Sequence, residues 1–109
     1  MPYNTEIDDR IRQIISDWNH THHKKMFGGI CYFLHGNIFC GVWHDFLILR
    51  LGEARAKEAL ELPHVKPFDI TGRSMKGWIM VAEEGFKEQQ SLSVWLEQAS
   101  EFAVGLTSG

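Results

Sequence analysis

The sequence contains few cysteines and no long apolar run, and each shortage excludes a class of protein. Two cysteines among 109 residues are too few for a disulfide-stapled secreted scaffold. No stretch approaches the ~20 apolar residues that cross a bilayer. The chain also starts without a basic region followed by an apolar run, so no secretory signal is expected. These features predict a cytoplasmic protein that is not inserted in a membrane.

A basic excess is missing as well. The chain has 14 acidic and 11 basic residues, a formal net charge of −3. Proteins that hold nucleic acid through its phosphates usually carry a clear positive excess, so direct nucleic-acid binding is disfavoured. The content of 44% hydrophobic and 23% charged residues is ordinary for a globular protein, and the length fits a single domain over residues 1–109.

The periodicity of the apolar residues predicts an α+β domain, in the order helix, three-stranded antiparallel meander, helix, two strands, helix. The predicted helices run from Thr5 (as N-cap) to Trp18, from Glu53 to Leu60, and from Ser91 to about Leu106. The predicted strands are Phe27 to Leu34, Ile38 to Trp43, Phe46 to Leu51, Asp69-Ile70 and Trp78 to Val81, with turns at Gly36-Asn37 and His44-Asp45.

The predicted strands carry apolar residues on both faces. Ile30, Tyr32 and Leu34 alternate with Cys31 and Phe33. We therefore expect helices to cover one face of the sheet, and a loop, a second subunit or a ligand to meet the other. The sequence thus also allows a homodimer.

The two cysteines, Cys31 and Cys40, fall on neighbouring predicted strands. A two-residue turn would place them diagonally on one face, and a three-residue turn would place them on opposite faces. Neither arrangement suits the short Cα–Cα distance of a disulfide, so both thiols are predicted to be reduced.

A metal site is not predicted, although three histidines lie close together at His20, His22 and His23. Zinc sites need about four ligands in recognisable paired spacings, which the sequence lacks. We interpret these histidines, with the lysines that follow them, as a solvated cluster at the end of the first helix. No cofactor is predicted either.

No catalytic set is recognisable. The sequence has no Gly-x-Ser-x-Gly motif, and neither cysteine has an electropositive setting that would activate its thiol. The glycines Gly28, Gly29 and Gly41 fall at strands instead of opening a helix, so close backbone approach or a bulge explains them better than phosphate binding. We therefore expect a protein that is not an enzyme.

A glycine-flanked loop displays two cations beside an apolar residue. Arg73 and Lys76 surround Met75 within the run from Thr71 to Trp78. This segment is either a solvated hairpin or an interaction loop.

Two runs of the sequence resemble the TfoX N-terminal domain family: Lys24 to Gly29 continuing into Gly36 to Val42, and Pro63 to Trp78. The closing amphipathic helix is similar too. The resemblance implies a small α+β fold with secretion-chaperone-like topology and a non-enzymatic regulatory role. Longer members regulate competence for DNA uptake and are thought to act on transcription with the cyclic-AMP receptor protein. This sequence resembles only their first domain.

The leading hypothesis is a regulatory or accessory protein-binding domain, with the transcription machinery as the partner class that the resemblance implies. The predicted contact residues are Lys24, Lys25, Phe27, Arg73, Met75 and Lys76. They belong to two separate motifs, so the hypothesis requires the fold to bring these motifs together. The alternative is a small-molecule or nucleotide-binding protein, or an enzyme of an unrecognised type.

Overall fold

Three α-helices and a six-stranded antiparallel sheet form the described part of the chain, which confirms the predicted α+β class. The structure is a computed structural model that describes residues 3–26, 28–69 and 75–108. The helices are α1 (Thr5–Ile15), α2 (Glu53–Ala59) and α3 (Gln89–Ser108), and a 3₁₀ helix spans Glu83–Phe86. The strands are β1 (Thr21–Met26), β2 (Gly29–Leu34), β3 (Asn37–Trp43), β4 (Phe46–Arg50), β5 (Val65–Pro67) and β6 (Trp78–Val81).

The strand order across the sheet is β1-β2-β3-β4-β6-β5, and every neighbouring pair is antiparallel. The first four strands form a meander, so the predicted three-stranded meander is present with one further strand at its start. Strand β6 then pairs with β4, which leaves β1 and the short β5 as the two edges.

Strand β1 corrects the prediction for the histidine-rich segment. Helix α1 ends at Ile15 instead of Trp18, and Thr21–Met26 pairs with β2 instead of forming a solvated helix end. Trp18 leaves the helix and stacks on Phe39 with ring centroids 6.0 Å apart. The prediction missed this strand because an edge strand with exposed polar side chains shows no apolar alternation.

Smaller corrections concern caps, turns and the fifth strand. Asn4, not Thr5, caps α1, because its side-chain oxygen accepts the N–H groups of Glu6 and Ile7. The β2–β3 turn is His35-Gly36, one residue earlier than predicted, and both residues have positive φ. Strand β5 lies before the strand predicted at Asp69-Ile70; Asp69 belongs to none of the described strands, and Ile70 lies outside the described residues.

The hydrophobic core lies between one face of the sheet and the helices. Strand residues such as Tyr32, Val42 and Leu49 pack there with helix residues such as Ile11 and Leu96. The helices therefore cover one face of the sheet, as the amphipathic patterns predicted. We call the opposite side of the sheet the outer face.

Candidate binding site on the outer sheet face

The outer face carries an apolar cavity of about 180 Å³. Two of its lining residues, Ile48 and Phe68, are buried to 5% and 8% exposure, yet neither belongs to the core beneath the helices. Other lining residues are Met26, Cys31, Trp43, Met75 and Trp78. Ile30, Cys40 and Val42 also line the cavity and belong to the core, so the cavity is an apolar centre on the outer face that adjoins the core.

Two glycines explain why the sheet leaves a hollow here. Gly29 and Gly41 both line the cavity and contribute no side chain to it. A Cβ on Gly41 would lie 2.5 Å from the carbonyl oxygen of Ile30, and one on Gly29 would collide with the carbonyl of Val42. The close approach of β2 and β3 that was predicted from these glycines is therefore confirmed, and it excludes larger residues from the floor of the cavity.

The registers place one row of side chains straight across the six strands of the sheet. Each member of the row is the cross-strand partner of the next. The row is Lys24, Cys31, Gly41, Ile48, Met80 and Lys66. The middle of the row is apolar, Gly41 contributes no side chain to it, and a lysine lies at each end.

An aromatic wall borders the cavity towards β6. The ring of Phe68 lies 6.5 Å from Trp43 in an edge-to-face arrangement and 5.9 Å from Trp78. The guanidinium of Arg50 lies 5.5 Å from the Trp78 ring, within the range of a cation–π interaction. These contacts hold the wall in place on one side of the cavity.

The outer face lacks negative charge within its strands. None of the six strands contains Asp or Glu, and all 14 carboxylates of the sequence lie in helices, turns and loops. The strands carry Lys24, Lys25, Arg50 and Lys66 together with two histidines. Among chain neighbours of the lining residues, only Asp69, next to Phe68, is acidic. A protein with net charge −3 therefore presents a sheet whose charged groups are cationic.

The fold brings parts of the two predicted contact motifs together. Met75 lines the cavity, and so does Met26 from the other motif. Lys24 lies on the outer face beside them, whereas alternation along β1 places Lys25 on the opposite face. Lys76 is exposed and lines a separate depression next to α2. Phe27 and Arg73 lie outside the described residues.

Sequence reasoning missed most of the cavity. Cys31, Trp43, Ile48 and Phe68 were not predicted as site residues, although they line it. The signal that could have found them is the alternation in the strands, where apolar residues also occupy the positions between the core residues. That signal predicted an occupied second face without indicating a hollow in it.

The cysteines occupy opposite sides of the sheet. A register shift between Tyr32 and Phe33 places Cys31 opposite Gly41 and Cys40 opposite Tyr32. Both are free, as predicted. Burial raises the pKa of the half-buried Cys31 thiol, and it raises the pKa of Cys40 much further. At neutral pH both are thiols, which are poor nucleophiles.

The described residues contain neither a clustered set of metal ligands nor a membrane-spanning helix. No group of three or more His, Cys, Asp and Glu residues is placed to hold a metal ion in that part of the chain. The histidines that suggested such a site stack on rings instead: His20 on His35 at 4.5 Å and His22 on Phe33 at 4.8 Å. None of the helices described there is both long and apolar enough to cross a membrane.

Comparison with known proteins gives one result that concerns the whole fold. No curated protein matches the chain. The family model described as the TfoX N-terminal domain matches residues 13–103, which include every strand, α2 and most of α3. That match extends over most of the sequence and includes all the residues that line the outer-face cavity. The chain therefore belongs to the TfoX N-terminal domain family.

Proposed function

We propose that this domain is a non-enzymatic regulatory module that binds a protein partner through its outer face. Family membership supports at most a regulatory or competence-related role. The observation that carries the finer proposal is the apolar cavity of about 180 Å³ on the face away from the helices. Energetically dominant interface residues are often large side chains, aromatic ones above all, seated in well-packed pockets.

The exposure of the lining residues supports the same proposal. Met75 is 42% exposed at the edge of the cavity, and Met26 faces it from β1. Methionine side chains are flexible and polarisable, and protein surfaces that accommodate varied partners often use them. The raised pKa of Cys31 argues against a nucleophilic role for the thiol in the cavity.

A pull-down from the native cell extract tests the proposal. The bait is used as wild type, as Cys31→Phe to fill the cavity, and as Cys31→Ala to keep it open without the thiol. We expect a stoichiometric protein partner that survives nuclease, is retained by Cys31→Ala and is reduced at least about tenfold by Cys31→Phe, a loss of about 1.4 kcal/mol. A bait without a partner, or recovery lost on nuclease treatment, would contradict the proposal. Components of the transcription machinery are one partner class to look for by mass spectrometry.

The cationic loop is part of the proposal. Arg73→Glu with Lys76→Glu should abolish partner binding and leave the melting temperature unchanged, since Lys76 is exposed. Unchanged binding by this double variant would remove the loop from the proposed contact surface.

A small apolar ligand is the second candidate, and the cavity itself favours it. An apolar cavity of about 150 Å³ can hold benzene, whereas pockets for drug-sized ligands are typically about 300–1,000 Å³. A ligand that binds only the folded state would raise the melting temperature with dose. A fragment screen by thermal shift, compared between wild type and Cys31→Phe, distinguishes this candidate from a protein partner.

A further inference from the structure

We infer that the outer face recognises an acidic segment of a partner protein that inserts one large apolar side chain into the cavity. This inference rests on the proposed function and adds the chemistry of the partner. It follows from three observations: the size of the cavity, the cross-strand row with a lysine at each end, and the absence of carboxylates from the strands.

The size of the cavity selects a single side chain. A volume of about 180 Å³ exceeds the ~150 Å³ that holds benzene, but it is below the range of pockets for drug-sized molecules. A phenylalanine, leucine, methionine or tryptophan side chain suits an apolar hollow of that size. Its insertion over Gly41 would bury it against Ile48 and Trp43.

The charges around the cavity select acidic flanks. Neighbouring strands lie about 4.8 Å apart, so Gly41 is two strand spacings, or about 10 Å, from Lys24. The same counting gives three spacings, or about 14 Å, from Gly41 to Lys66. An extended chain advances about 3.3 Å per residue, so carboxylates about three to four residues on either side of the anchor would meet these lysines.

Single-stranded nucleic acid is the other polyanion with apolar groups, and the geometry disfavours it. Bases bind by stacking on exposed aromatic faces along a positively charged groove. Here Phe68 is 8% exposed, and its ring lies 6.5 Å from Trp43 and 5.9 Å from Trp78, so it offers little surface for stacking. A hollow for one side chain also differs from a flat stacking platform.

Peptide display tests the inference. A random 12-residue library is selected on the wild-type protein and counter-selected on Cys31→Phe. We expect the enriched peptides to share one large apolar residue with Asp or Glu three to four residues away on either side. Enrichment of basic or uncharged peptides, or no enrichment that depends on the open cavity, would overturn the inference.

Two charge-reversal variants then test the lysines with one synthetic peptide from the selection. Lys24→Glu with Lys66→Glu reverses both ends of the row, and Lys57→Glu with Lys87→Glu makes the same change in net charge at exposed positions outside the sheet. Measured by fluorescence anisotropy, the first pair should lower the affinity for the peptide at least tenfold. The second pair should lower it less than threefold. Equal effects of the two pairs would overturn the role of the row.

Cysteine alkylation locates the peptide without any substitution. Both cysteines line the cavity, but Cys31 is half-buried whereas Cys40 is 0% exposed, so Cys40 serves as the internal control through its burial. The saturating peptide should slow the reaction of Cys31 with iodoacetamide several-fold and leave Cys40 unreactive. Unchanged reactivity of Cys31 would show that the peptide binds elsewhere.

A labelled thymidine oligonucleotide completes the test. Binding that falls steeply with salt and is lost in the Lys24 and Lys66 variant would overturn the inference in favour of nucleic acid. A pull-down partner that needs the open cavity but tolerates reversal of both lysines would overturn this inference and leave the proposed function standing.

Discussion

At the scale of single residues, Asp8 is the one charged side chain in the described core, at 5% exposure. The Tyr32 hydroxyl donates a hydrogen bond of 2.5 Å to one of its oxygens, and Arg12 donates one of 3.0 Å to the other. A buried carboxylate is costly unless it is paired and hydrogen-bonded. The three side chains therefore link α1 to β2 as one unit.

Removing the Tyr32 hydroxyl should destabilise the fold. Tyr32→Phe leaves the Asp8 carboxylate with one donor fewer, which should lower the free energy of unfolding by about 1–3 kcal/mol in urea denaturation. A double-mutant cycle with Asp8→Asn provides the control, because interacting residues show coupling of about 0.5–3 kcal/mol. Strictly additive effects would contradict the linked arrangement.

The same hydroxyl should give the stability a dependence on alkaline pH. Burial, and then the hydrogen bond to Asp8, raise the pKa of Tyr32 above its usual value of about 10. The unfolded chain loses this proton near pH ~10 while the folded chain keeps it, so the stabilisation is complete below that pH and is lost as the pH rises above it. Urea midpoints should therefore fall more steeply above pH ~10 in the wild type than in Tyr32→Phe. Parallel curves would contradict the raised pKa.

At the scale of elements, the first helix depends on its cap. The Asn4 side chain accepts hydrogen bonds from two backbone N–H groups of α1. It also donates a hydrogen bond to Asp45 in the β3–β4 turn. Asn4→Ala should lower the free energy of unfolding by about 0.5–2 kcal/mol. Thr5→Ala, one residue on and exposed, is the matched control and should change it by less than about 0.5 kcal/mol. The reverse order in thermal or urea denaturation would show that Thr5 is the cap.

The pairing of β2 with β3 depends on Gly41. A Cβ there would lie 2.5 Å from a backbone carbonyl oxygen, so Gly41→Ala must push the two strands apart and should cost about 1–3 kcal/mol. Gly105→Ala in α3 is the control, because its Cβ would have no heavy atom within 4 Å. Gly105→Ala should raise the free energy of unfolding by up to about 1 kcal/mol, since alanine favours the helix. Equal stability of the two variants would contradict the close approach of the strands.

At the scale of the whole molecule, both edges of the sheet are protected against pairing with another sheet. The exposed β1 carries adjacent lysines, and β5 is three residues long and includes Pro67. Charged side chains, proline and short length all discourage edge-to-edge association. A homodimer, which remains a prediction, would then use the outer face in preference to an edge.

Removing the charge from β1 should expose the edge. Lys24→Val with Lys25→Val is expected to associate as concentration rises, in size-exclusion chromatography with light scattering. Lys57→Val with Lys87→Val removes the same charge away from the strands and should behave as the wild type. If both pairs elute alike, the lysines are not what protects this edge.

The sequence by itself determined the α+β class, the helix stripes and the meander from Gly29 to Arg50. These follow from periodicity, turn residues and spacing, which are local properties of the chain. The same local reasoning failed for β1, because an exposed edge strand is held by backbone hydrogen bonds to β2 and shows no apolar alternation.

The tertiary structure alone decided where the site lies. Met26 and Met75 are far apart in the sequence, and only the tertiary fold places both of them at one cavity, together with Phe68. The gap at Gly41 and the row from Lys24 to Lys66 depend on registers between strands, each set by long-range pairing. Local patterns indicate which face of a strand is apolar, but the space between side chains depends on which strands become neighbours.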